Sequence, residues 1–168
     1  ENMGYFEKEK NSNNIITNEE RLKLLTPKKG KLKVVMDTDT FNEIDDQFAI
    51  VQMMLSPERL NVEAIYAAPF SMNDRSDNPG KGMQLSYDEI LRLLERINVD
   101  PKDFVFKGVT EYVGSDKIAK DAPAVDDLIN RAKQSSPEDP LYVIAIGAIS
   151  NVASALIKAP EIIKNIVV

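Results

Sequence analysis

Between Asp37 and Asp46 the chain places five acids within ten residues, in the order Asp37-Thr38-Asp39-Thr40-Phe41-Asn42-Glu43-Ile44-Asp45-Asp46. Carboxylates that converge repel one another unless a cation or a proton lies among them. Their oxygens are hard donors. Calcium takes six to eight such ligands, and magnesium is usually held by one or two carboxylates with water completing its shell. The chain has no cysteine and no histidine. Disulfides, thiolate catalysis and Cys/His zinc sites are therefore excluded, as is any Ser-His-Asp or Cys-His arrangement. Chemistry has to come from carboxylates, hydroxyls, amides, backbone groups and a bound metal.

The elements around the acids would position them at one end of a sheet. The apolar run 32–36 reads as a buried strand, and 44–55 reads as a helix with Phe48, Val51 and Leu55 on one face. Period-2 geometry sends Asp37 and Asp39 the same way from the strand end. Asp45 and Asp46 open the helix, where the dipole tolerates negative charge. A blander alternative leaves Asp45 and Asp46 as helix caps and Asp37 and Asp39 as solvated loop acids. Further strands are expected at 62–68, 104–107, 141–146 and from 165. Further helices are expected at 83–96 (with Leu91, Leu93 and Leu94 as core stripe), 123–133 and 149–158. Strand and helix alternate with short connections, which gives an α/β fold: an open, mostly parallel, Rossmann-like sheet with helices on both faces. In such a sheet ligands bind at the carboxyl ends of the strands, where the acidic turn lies. The polar loop 71–82 is expected to be a substrate lid or an inert insertion.

The 168 residues suffice for one domain with a sizeable core. Residues 1–30 read as a polar, lysine-rich tail, with a short helix at 18–25 capped by Asn18, and 31–168 as the folded part. Net charge is −6, which disfavours nucleic acid as a partner. No apolar run reaches the ~20 residues that span a membrane. A homo-oligomer is compatible with the composition. The compartment stays open, with the cytoplasm slightly favoured over secretion after removal of a signal peptide. The chain starts at Glu1 and closes on Ile166-Val167-Val168. That close reads as the opening of a buried central strand, so the expected fold is truncated at its C-terminus.

The acidic stretch resembles the N-terminal motif of the inosine-uridine-preferring nucleoside hydrolases, Asp-x-Asp-Pro-Gly-x-Asp-Asp before an apolar helix. Here Pro-Gly is missing and two residues are inserted, as in a divergent branch. Ala145-Ile146-Gly147-Ala148-Ile149-Ser150-Asn151-Val152-Ala153 is similar to that family's Gly-Pro-Leu-Thr-Asn-Ile-Ala segment. The resemblance implies calcium-dependent hydrolysis of the N-glycosidic bond of a ribonucleoside, in purine and pyrimidine salvage, with a small nucleoside or ribosyl substrate as partner. It implies Asp39 as calcium ligand and activator of the attacking water, Asp46 as a two-oxygen ligand, and Ser150 as a ligand through its carbonyl. It implies Asp45 as the acceptor for the ribose 2′-hydroxyl and Asp37 as a supporting acid. Asn42 and Glu43 fall in the insertion; Asn42 is a candidate for the ribose, and Ser71 or Asn73 for a substrate contact that the family makes with Asn. The family's C-terminal ligands have no counterpart in 1–168, so this chain alone is expected to be inactive.

Two alternatives stand beside this reading. Val34-Val35-Met36-Asp37-Thr38-Asp39-Thr40 also fits the first motif of haloacid-dehalogenase-like phosphatases, with Asp37 as nucleophile, Asp39 as acid/base and magnesium as cofactor. The paired acids at 45 and 46 weigh against it. The other alternative is a catalytically incomplete fragment that binds metal without chemistry.

Overall fold

The computed structural model describes residues 16–168. Its centre is a sheet of five parallel strands: β1 (Leu32–Thr38), β2 (Leu60–Ala67), β3 (Val105–Lys107), β4 (Leu141–Ala145) and β5 (Ile166–Val167), in the order β3-β2-β1-β4-β5. Helix α1 (Asn18–Leu25) precedes the sheet. The crossovers carry α2 (Asp45–Met54), α3 (Pro79–Arg96), α4 (Pro123–Lys133) and α5 (Ser150–Lys158), followed by a 3-10 turn at Pro160–Lys164. The α/β architecture read from the alternation of strand and helix is the one observed.

Alternation along β1 sorts its side chains between two cores. Val34 and Met36 point to α2 and α3, where Ile50, Met53, Ile65, Ile90 and Leu94 gather. Val35 points the other way, into a cluster with Tyr66, Val125, Leu128, Val143 and Val152 under α4 and α5. Asp37 follows Val35 in phase and so faces α5, while Thr38 follows Met36 and faces α2. β1 lies between β2 and β4, so both flanks of its backbone are hydrogen-bonded and its end is rigidly placed.

Several local expectations need correction. The cap of α1 is Thr17, not Asn18: its hydroxyl accepts from the Glu20 amide, and the Glu20 carboxylate accepts from the Thr17 amide, a reciprocal pair. In α2 the buried residues are Asp46, Ile50 and Met53, while Phe48 and Leu55 lie open to solvent. In α3 the buried apolar residues are Met83, Ile90 and Leu94; Leu91 and Leu93 are half-buried. That helix starts at Pro79 with Asn78 as its cap, so it absorbs the end of the expected loop. β5 pairs with β4 alone, and among the described residues no strand flanks its other side.

No described helix is long and apolar enough to cross a membrane.

Candidate functional site

The carboxyl end of β1 delivers a layered group of polar side chains. Deepest is Asp37, fully enclosed. Its Oδ1 accepts a hydrogen bond of 2.7 Å from Asn151 Nδ2, and its Oδ2 has no partner. Burial pushes its pKa up from 3.8 to about 7, against the pull of the Asn151 bond and with a smaller push from the charge of Asp39. Asn151 is itself fully buried in the first turn of α5. It also donates to the Ala67 carbonyl at the end of β2 (3.2 Å) and accepts from the Val109 amide just after β3 (2.8 Å). One amide thus ties β1, β2 and the β3 exit to α5. Gly108 makes room for it: a Cβ there would lie 2.0 Å from the Ala67 carbonyl oxygen and 2.5 Å from Asn151 Nδ2.

The outer layer is Asp39 and Asp46, both buried. Asp46 Oδ1 accepts from Thr38 Oγ1 at 2.8 Å, and Thr38 Oγ1 also meets Thr40 Oγ1 at 2.9 Å. Asp39 Oδ2 accepts from Asn42 Nδ2 at 3.1 Å. Burial raises both carboxyls. For Asp46 the rise, to about 6, comes first from desolvation, opposed by the Thr38 bond, and then from the charges of Asp39 and Asp45. For Asp39 desolvation is again the largest cause and the Asn42 bond the main counterweight. Gly147, just past β4, closes the floor: a Cβ there would lie 2.8 Å from the Asp39 amide nitrogen and 3.0 Å from Asp39 Oδ1.

Two of the residues singled out from sequence, Asp39 and Asp46, therefore come together. Asp45 is exposed in the first turn of α2, beside Asp46. Asn42 joins Asp39, although through a bond that engages its amide. Ser71 and Ser150 hydrogen-bond to neither acid. Ser71 Oγ meets the Tyr112 hydroxyl at 3.1 Å, and Ser150 Oγ accepts from the Val113 amide at 3.3 Å. The hydroxyl of Ser150 therefore works as a loop anchor. Asp37 is sealed behind Asn151, which does not suit a nucleophile and argues against the phosphatase alternative.

Sequence reasoning passed over Asn151, Thr38 and Gly147 as working parts. For Gly147 a signal existed, since a lone glycine after an apolar strand often marks close backbone approach. For Asn151 and Thr38 nothing in composition or periodicity pointed to them.

Among the described residues no three acidic side chains gather closely enough to hold a metal by themselves. Asp39 and Asp46 nevertheless fit a hard divalent cation. They provide the one or two carboxylates that magnesium uses, or part of the larger calcium shell, and a cation there would relieve the burial of negative charge.

Residues 33–165 match the family described as cellulose-binding Sde182, nucleoside hydrolase-like domain, and the chain belongs to that family. A solved structure shares the fold: a nucleoside hydrolase-related hypothetical protein from Saccharophagus degradans, described as associated with carbohydrate metabolism. The match has a TM-score of 0.51 at 17% identity over 82% of this chain, and it covers 38% of that protein's chain. No curated protein matches in sequence. The broad kinship with nucleoside hydrolases read from the acidic turn thus holds, through a family described as nucleoside hydrolase-like.

Proposed function

We propose that this chain supplies the Asp39–Asp46 part of a site for divalent-cation-dependent hydrolysis of a glycosidic bond, with the N-glycosidic bond of a ribonucleoside as its substrate. The observation that carries the proposal is a buried carboxyl pair at the carboxyl end of the central strand of a nucleoside hydrolase-like sheet. Asp39 and Asp46 would hold calcium, or magnesium with more water in its shell. When bound, such an ion polarises sugar hydroxyls and lowers the pKa of a water. Asp39, buried at the strand end beside Asp46, receives the proton of the attacking water as general base. Asp45, exposed beside the pair, accepts from a ribose hydroxyl. Attack at the anomeric carbon passes through an oxocarbenium-like transition state as the base departs. Protonation of the leaving base falls to a group other than Asp39, Asp45 and Asp46.

A second reading is carbohydrate binding without hydrolysis. It is favoured by the cellulose-binding description of the family and by a carboxyl cluster in which, among the described residues, no three acids are arranged to hold a metal by themselves.

Calorimetric titration tests the cation site. One calcium site is expected, lost in Asp39→Ala and Asp46→Ala; equal affinity in all three proteins would overturn it. Ribose release from inosine or uridine, measured on the full natural chain, is expected to fall at least about 100-fold in Asp39→Asn. Retention on cellulose with no ribose release would move the assignment to the second reading.

A further inference from the structure

Both acids of the pair are shielded in this conformation, and what shields Asp39 can be named. Asp39 is 8% exposed. Its Oδ1 lies against Gly147, and its Oδ2 is taken by Asn42 Nδ2. Asn42 is in turn held from the far side: its Oδ1 accepts a 2.6 Å hydrogen bond from Asn73 Nδ2. Asn73 belongs to the segment between β2 and α3, and its own Oδ1 accepts from the amides of Arg75 and Ser76 at 3.0 and 3.1 Å. On its other flank the same segment is fastened by the Ser71–Tyr112 contact. Between the two fastenings sits Met72, 92% exposed and in the left-handed region at φ 67°. A non-glycine residue holds that conformation only when its surroundings impose it.

We propose that Asn42 and Asn73 form a latch: they close the β2–α3 segment across Asp39, and the latch must open before a cation or a sugar hydroxyl reaches Asp39 Oδ2. The proposal rests on the reading of Asp39 as a cation ligand. An amide nitrogen and a metal ion compete for the same carboxylate oxygen, so the closed latch lowers cation affinity and ligand entry is coupled to movement of residues 69–78. Asn42 lies in the insertion that separates this acidic turn from the shorter Asp-x-Asp-Pro-Gly-x-Asp-Asp form, so the latch is a property of this longer turn.

The test combines calcium titration with amide hydrogen exchange on the 168-residue protein, using Asn42→Ala, which frees Asp39 and the segment together, and Asn73→Ala, which frees the segment alone. Neither variant changes the charge. The latch predicts about tenfold tighter calcium binding in Asn42→Ala, the equivalent of one hydrogen bond to a charged group. It also predicts faster exchange across 69–78 in both variants and in the wild type on adding calcium. Unchanged calcium affinity in Asn42→Ala overturns the latch while leaving the cation site standing. Weaker affinity also overturns it, because Asn42 would then belong to the cation's own shell. If no protein binds calcium, the cation reading fails and the latch falls with it, whereas calcium binding of equal affinity in wild type and Asn42→Ala overturns the latch alone.

Discussion

Asp37 shows how a residue can be central to a site without touching substrate. Its carboxyl is buried with one oxygen on Asn151 and the other bare, so the uncharged form suits it, and its pKa sits at about 7 against 3.8. Between those values the unfolded chain releases the proton while the folded chain keeps it. Stability from this group is therefore full below about pH 4 and is lost as pH rises through about 7. Asp46 shifts in the same direction and steepens the slope. Asp37→Asn retains an acceptor for Asn151 and has no proton to lose. In chelator, urea unfolding at pH 5 and pH 8 is expected to show the wild type losing clearly more stability than Asp37→Asn. Parallel losses would show that Asp37 is ionised in the fold. The acids themselves were legible because five in ten residues is a conspicuous density. The division of labour among them was not, since it depends on Asn151, more than a hundred positions away in sequence.

At the level of elements, patterning succeeded where one face of an element is buried and failed where two faces are apolar. The strands stand out because β1, β2 and β4 are short apolar runs bounded by turns. α2 carries two competing stripes. Phe48, Val51 and Leu55 have helical spacing, but so do Asp46, Ile50 and Met53, and the fold buries the second set. A polar residue in the inner stripe made it look like the outer one. Yet Asp46 is inside because Thr38 donates to it from the strand end, a contact that local periodicity cannot anticipate. The connection between β4 and α5 is equally demanding. Gly147 lets that turn lie against Asp39, where a methyl group would approach the Asp39 amide to 2.8 Å. Gly147→Ala must displace either β4's end or Asp39. It is expected to cost about 1–3 kcal/mol in urea unfolding, by overpacking, and to weaken calcium binding in the same preparation. Wild-type affinity in Gly147→Ala would mean that the turn moves freely of Asp39.

Across the whole molecule, the two cores lie on opposite faces of one sheet, and the acidic site occupies the rim between them. The inner stripe of α2 completes one core, and its outer stripe is left bare. Ile44, Phe48 and Leu55 are each about two-thirds exposed, and a shallow cavity forms between Ile44, Gln47, Phe48, Val51 and Leu93. Contiguous exposed apolar surface drives association in water, whereas a substitution on an exposed helix face that breaks no contact changes stability by only about 0.5 kcal/mol. Phe48→Ser with Leu55→Lys is therefore expected to separate the two properties. Unfolding midpoints should stay near wild type, while sedimentation at high protein concentration should show less self-association. Lysine near the end of α2 also complements the negative end of the helix dipole, so a small gain in stability is compatible with the scheme. A loss of several kcal/mol is not, because it would mean that this stripe is covered in the folded chain. Unaltered sedimentation would assign any self-association to another face.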